Sequence, residues 1–337
     1  MNSQDFKIIP INNLEEIMHR LNFLRGLFAI LIVIGHCSMK FKKELLPFYI
    51  IHKFNMVGVC FFFFVSGLSL TYNFYHKQGY LKYFLRNKAV FLFVLSLISV
   101  GGGNLLKTVI LGTQLDWNVT LLTQFNWYVY EMIVFYIAFY LLYSMITVPH
   151  YREILMAVIT VGICFITIYF CRYGTWSGWT QSYYTSSFSF LFGIVLGEHY
   201  DKIGKKFCRH GLIYSVVLLL VGMGCCVSLK LPDTNWGGAL LKNLMGICVM
   251  ALVTEFVVFI SPQDIPILGR IISFLTKRST EVYLYQFCLL SIVAELYARN
   301  NMEIDISYIL VVVVSVCVLS SIMHYIDGWV GKLVKRR

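Results

Sequence analysis

Charge is what this chain has least of. Asp, Glu, Lys and Arg make up 13% of its 337 residues, where an ordinary soluble domain carries about 25%. A soluble fold of this length needs a charged coat, and this chain cannot supply one. Hydrophobic residues reach 58% and the mean hydropathy is +0.71, so the surface must face something apolar. Proline is scarce as well. There are six, none in the middle of an apolar run, which leaves long helices uninterrupted. The ten cysteines include no CxxC pair. All but Cys208 lie in or at the ends of apolar runs, where cysteine packs as a small hydrophobe. Neither a disulfide framework nor a metal site is expected. No glycine-rich phosphate loop and no signal peptide of the usual layout is present, and the N-terminus is expected to be retained.

What the chain does have is long apolar runs. Crossing a bilayer takes about 20 mostly apolar residues. Ten stretches qualify, at 22–40, 54–75, 89–111, 125–148, 153–171, 182–199, 211–229, 238–260, 279–298 and 306–329. The third is interrupted by Gly101-Gly102-Gly103 and the sixth has a polar first half. The runs are continuous rather than alternating, and a lipid solvent requires each segment to satisfy its own backbone, so they read as helices. The expected fold is an all-α integral membrane protein, a bundle of about ten transmembrane helices. Residues 1–337 form one domain, without an appended soluble part.

The net charge of +11 comes from 28 basic against 17 acidic residues. In a soluble chain this would point to nucleic acid. Here the bases sit in short loops between apolar runs, so orientation in the bilayer explains them and no nucleic-acid partner is expected. With the N-terminus inside, the inner segments hold twice as many Lys and Arg as the outer ones, which places both termini in the cytoplasm. The Lys-rich "KFKKE" loop after the first run is the exception.

Against this background Arg25 and His36 stand out in "RGLFAILIVIGH". Eleven residues at 100° each return to within about 20° of the start, so both side chains share one helix face, about 16 Å apart along it. Arg25 falls near the cytoplasmic rim and His36 deeper. Arg25 alone could snorkel to the headgroups, and His36 alone could be a bonded structural group. Together they fit a channel that begins with a fixed cation suited to phosphate and ends in a base suited to a hydroxyl proton. Glu131 could orient or charge the imidazole from similar depth.

Several stretches resemble a known family. "LNFLRGLFAILIVIGHCSM" (21–39) is similar to the start of the acyltransferase 3 family of membrane O-acyltransferases, whose hallmark is Arg, ten residues, His. "FFFFVSGLSLTYNF" (61–74) resembles the family's second span, with Ser66-Gly67 in place. "KYFLRNKAV" (82–90) falls where the family has a basic cytoplasmic loop. "NWYVYEMIVFYIAFYLL" (126–142) resembles its Trp- and Tyr-rich fourth span, "SFLFGIVLG" (189–197) a later glycine-containing span, and "STEVYLYQ" (279–286) its S-x-E-x-Y-L-x-H signature. The final His of that signature is Gln286 here, an amide that can hydrogen-bond but carries no titratable proton at neutral pH. The basic loop has Arg86 and Lys88 in place of the usual arginine pair and following proline.

The resemblance implies transfer of an acyl group, commonly acetyl, from cytoplasmic acyl-coenzyme A to a cell-surface polysaccharide or a lipid-linked glycan. It implies a multipass protein of a bacterial cytoplasmic membrane. On this reading His36 is the catalytic group, as general base or as transient acyl carrier, with Arg25 and Glu131 beside it. Arg25, Arg86 and Lys88 bind the donor. Trp127, Ser66, Glu281 and Tyr283 line the substrate site. The partners are acyl-coenzyme A, a carbohydrate acceptor and the bilayer. A multipass transporter or flippase also carries charges in its spans, but it more often shows broken helices in matching halves.

Overall fold

A computed structural model describes residues 14–41, 55–114, 127–172, 185–225, 236–259 and 266–334. The described chain is helical, with α1 Leu14–Ser38, α2 Asn55–His76, a π-helical turn Arg86–Val90 leading into α3 Phe91–Leu111, α4 Trp127–Met145 and α5 Pro149–Arg172. After these come α6 Phe188–Cys225, α7 Trp236–Phe259, α8 Pro266–Thr276, α9 Ser279–Arg299 and α10 Ile306–Val334. Among the described residues eight helices are long and apolar enough to cross a membrane, as expected of a chain whose backbone must be satisfied within each segment. Most of the "KFKKE" loop lies outside the described residues.

The axis of the bundle is α2. Its apolar window is 72% buried, against 28% for the windows of α3 and α5. Phe61, Phe63 and Phe64 are fully enclosed. Residues such as Val158, Leu220, Val314 and Ile322 instead point outward, the inverse of a soluble surface and suited to lipid tails.

Small residues set how closely the helices approach. A β-carbon on Gly67 would collide with the Phe190 carbonyl, and one on Gly193 with the Phe64 carbonyl. The backbones of α2 and α6 therefore touch where the "GIVLG" stretch predicts close packing. The Gly101–Gly103 run breaks nothing. Helix α3 continues through it, and Gly103 takes the Cys288 side chain of α9.

Helix α6 differs from the two spans read from the sequence. Its 38 residues form one assigned helix, which as a straight rod would measure about 57 Å. The contacts exclude a rod. Ser189 and Gly222, some 50 Å apart on a straight helix, both reach α7 within one turn, at Gly246 and Cys248. Ser215 meanwhile donates to Glu255, further along α7. The helix must fold back on itself between its arms, which places its two apolar halves side by side, as two spans would lie. Polar residues between the halves gave no helix-stop signal that would separate them.

One rim holds a buried polar cluster. Arg152 is 2% exposed. Its Nη2 lies 3.0 Å from Glu198 Oε1 and donates to Tyr75 Oη at 2.5 Å. Tyr143 donates to the same Glu198 at 2.7 Å, and Tyr75 donates to its other oxygen. This ties α2, α4, α5 and α6 together.

Candidate active site

Helix α1, described from Leu14, extends at least eight residues before the expected boundary, through the polar "LEEIMHR" segment that a hydropathy reading leaves out. Arg25 is half-buried and stands with its guanidinium carbon 5.7 Å from the Phe62 ring centre. Tyr128 and Tyr136 lie within its electrostatic reach, and Ser66 lies near both hydroxyls. Tyr283 closes the group from α9, 4.9 Å ring to ring from Tyr128 and 6.3 Å from Phe62. A cation among phenols can hold anionic or carbonyl oxygen, since each group donates. Trp127 reaches this group edge-on through Tyr128, at 6.3 Å.

His36 lies further along the same face of α1, beyond the buried Ala29, Ile32 and Val33. The His36 imidazole sits 4.6 Å from the ring of Phe287, one helical turn beyond Tyr283 on the same face of α9. Asn55, the first residue of α2, brings its Nδ2 to 3.3 Å from His36 Nε2 and 3.4 Å from Nδ1. The amide donor is almost equally far from both ring nitrogens, so it can donate to whichever of them carries the lone pair in the neutral ring. Gly35 allows the contact, because a β-carbon there would meet Asn55 Cγ at 2.8 Å. Arg25 and His36 are too far apart along the helix to act on one atom. They can act on two parts of one elongated ligand.

Glu131 does not meet His36. It is 1% exposed, and its Oε1 accepts from Ser187, just before α6. Its Oε2 has no partner among the described residues. The similar depth inferred from the sequence does not make the two a pair, because Glu131 faces α6. Ser186 and Ser189, both buried, lie near it through Cys60.

Glu281 and Tyr283, two residues apart on α9, face opposite ways. Tyr283 joins the Arg25 group. Glu281 accepts from His324 at 2.7 Å, in a separate cleft at the rim where α3 and α9 begin and α10 ends. Arg86 and Lys88 belong to that rim. Arg86 Nε donates to the Val334 carbonyl, and Lys88 sits half-buried in the π-helical turn. Thus Arg25, Ser66, Trp127 and Tyr283 are brought together, with His36 further along the same face of α1, while Glu131, Glu281, Arg86 and Lys88 stand apart from them.

The sequence reading missed Asn55, Tyr136 and Phe287. Tyr136 is eight residues from Tyr128 and so shares its helix face, a signal that was present. Asn55 is nineteen residues from its partner and on another helix, and no periodicity could join them. Gln286 is fully buried with neither side-chain polar atom partnered among the described residues.

These observations describe a multipass helical protein with a polar, aromatic cluster beside its first helix. No curated protein matches the sequence, and no solved structure matches the chain. The model of the acyltransferase 3 family, described as an acyltransferase domain, matches residues 18–325, which include the Arg25 cluster and His36. The chain belongs to the acyltransferase 3 family and is a membrane acyltransferase.

Proposed function

We propose that the protein moves an acetyl group from acetyl-coenzyme A to a hydroxyl of a cell-surface polysaccharide or lipid-linked glycan. The observation that carries this is the placement of Arg25 and His36. Arg25 and His36 lie on one face of α1, both inside the bundle, with Asn55 on the imidazole. The charge bias faces the rim of Arg86, Lys88 and Lys332 to the cytoplasm, where the donor is found, in the plasma membrane of a bacterium.

Arg86 and Lys88 hold donor phosphates at that rim. The pantetheine arm passes Arg25 and its phenols, and the thioester reaches His36. His36 takes the proton of the acceptor hydroxyl as that oxygen attacks the thioester carbon. The carbon–sulfur bond breaks, and the imidazolium returns the proton to the departing thiolate. The products are the ester and the free thiol, with no net proton change.

The test is labelled acetyl-coenzyme A added to membranes with and without the protein, followed by counting label in extracted glycan. Label that depends on the protein supports the reading. Protein-dependent movement of an unmodified glycan without label in it would favour transport instead.

A further inference from the structure

Helix α8, Pro266–Thr276, is about 16 Å long, about half of what a hydrocarbon core requires. Its two sides differ in kind. Gly269, Ile272 and Leu275 are buried against the bundle, and Thr276 is bonded to α1 at Phe23 and Gly26. On the opposite side Arg270, Ile271, Phe274 and Lys277 share an arc about 120° wide, Lys277 being kept in register by its N–H on the Ser273 carbonyl. All four are exposed, Ile271 at 53% and Phe274 at 41%. Arg278 adds a third base, its guanidinium carbon 3.9 Å from the Phe274 ring centre. From Pro266 to Thr280 the chain holds these three bases and no acid. Neither Arg270 nor Lys277 forms an ion pair among the described residues. The depth of the helix is fixed as well. Thr276 is bonded at Phe23, and the apolar run of α1 begins at residue 22, so α8 lies where headgroups meet acyl chains. A short helix at that level, with apolar and basic residues together on its outer face, is matched to an anionic lipid surface.

We propose that the outer face of α8 docks anionic phospholipid of the cytoplasmic leaflet. Arg270 and Lys277 hold the headgroup, and the acyl chains cover Ile271 and Phe274. Charge decides the occupant. A second copy of the chain, meeting this face through a two-fold axis, would set the same bases against each other. The contact also bears on the site. A β-carbon on Gly26 would overlap the backbone at Leu275 and Thr276, so α8 and α1 touch one residue from Arg25, and lipid that presses α8 inward holds that contact. The inference needs only the orientation drawn from the charge bias and is independent of the acyl group and the acceptor.

The test places a fluorophore on this face. Full-length protein carrying Phe274→Trp is reconstituted in phosphatidylcholine vesicles that contain equal mole fractions of either brominated phosphatidylglycerol or brominated phosphatidylcholine. Its emission is compared with that of wild type, which carries the six native tryptophans. The added emission should be quenched by both brominated lipids, and more strongly by phosphatidylglycerol. In that background Lys277→Gln should cut the preference for phosphatidylglycerol about fivefold, the worth of one base at an anionic surface, and Arg270→Gln should do the same. Lys77→Gln, an exposed base just after α2, should leave the preference unchanged. Added emission that neither lipid quenches overturns the proposal and gives the face to protein, a second copy of this chain included. Equal quenching by the two lipids overturns it as well, because the face would then meet acyl chains without selecting charge. So does a preference that Lys277→Gln and Arg270→Gln both leave intact, or one that Lys77→Gln lowers as far as they do. No readout here needs turnover, so failure of the transfer reaction would leave the lipid contact standing.

Discussion

Asn55 holds His36 with a neutral amide donor, the opposite sense to a carboxylate, which would accept from the ring N–H. At 3.3 and 3.4 Å from the two ring nitrogens, it restrains the imidazole without adding charge in the apolar part of the bundle. Asn55→Ala should therefore lower the transfer rate about 10²-fold, the usual cost of losing orientation, with little change in donor KM and normal protein levels in membranes. A matching loss of protein would instead mark the contact as structural. Arg25 has a different part. Its planar guanidinium faces Phe62, a stacking geometry that a compact ammonium does not reproduce. Arg25→Lys should raise donor KM several-fold more than it lowers kcat, and donor saturation curves in membranes read this directly. The pair was legible in the sequence because both residues lie on one helix, where spacing fixes the face. Glu131 was misplaced because depth is legible in a sequence and azimuth across helices is not.

At the scale of the helices, close approach does the positioning. A β-carbon on Gly26 would overlap the backbone where α8 ends, and Thr276 both accepts from Gly26 N at 3.2 Å and donates to the Phe23 carbonyl at 2.5 Å. Gly26→Ala should push α8 off α1 beside Arg25. We expect lower thermal stability and lower activity together, measured on purified protein. The short helix α8 itself was not foreseen, because its eleven residues fall below the length of a span. Gly35→Ala should act locally, displacing Asn55 and lowering turnover as Asn55→Ala does, with a smaller effect on stability. The Arg152–Glu198 contact binds four helices, so Glu198→Ala should destabilise by about 3–5 kcal/mol, as when one partner of a buried ion pair is removed. Unchanged thermal stability would mean the cluster is solvated in the bilayer-embedded protein. The folding-back of α6 was legible as two apolar stretches, but not as one assigned helix, because Lys and Arg in the connection are good helix formers.

For the whole molecule, composition settled the solvent. With 13% charge and 58% hydrophobic residues, no arrangement of this chain could be coated in water, and the all-helical bundle follows from backbone satisfaction. What composition could not show is the division of labour across it. The Arg25 cluster at α1 and the cleft at the rim are separate features on two sides of α9, and only contacts between distant segments reveal that. The central claim is that His36 is a base acting on an acceptor hydroxyl. The most direct test is acetyl transfer from labelled acetyl-coenzyme A to extracted glycan, in membranes holding equal amounts of wild type and His36→Ala. We predict label in glycan with wild type and none above background with His36→Ala, while both proteins are still stabilised by coenzyme A. Equal label from the two would contradict the account, leaving the Arg25–His36 face a packing feature and the chemistry elsewhere.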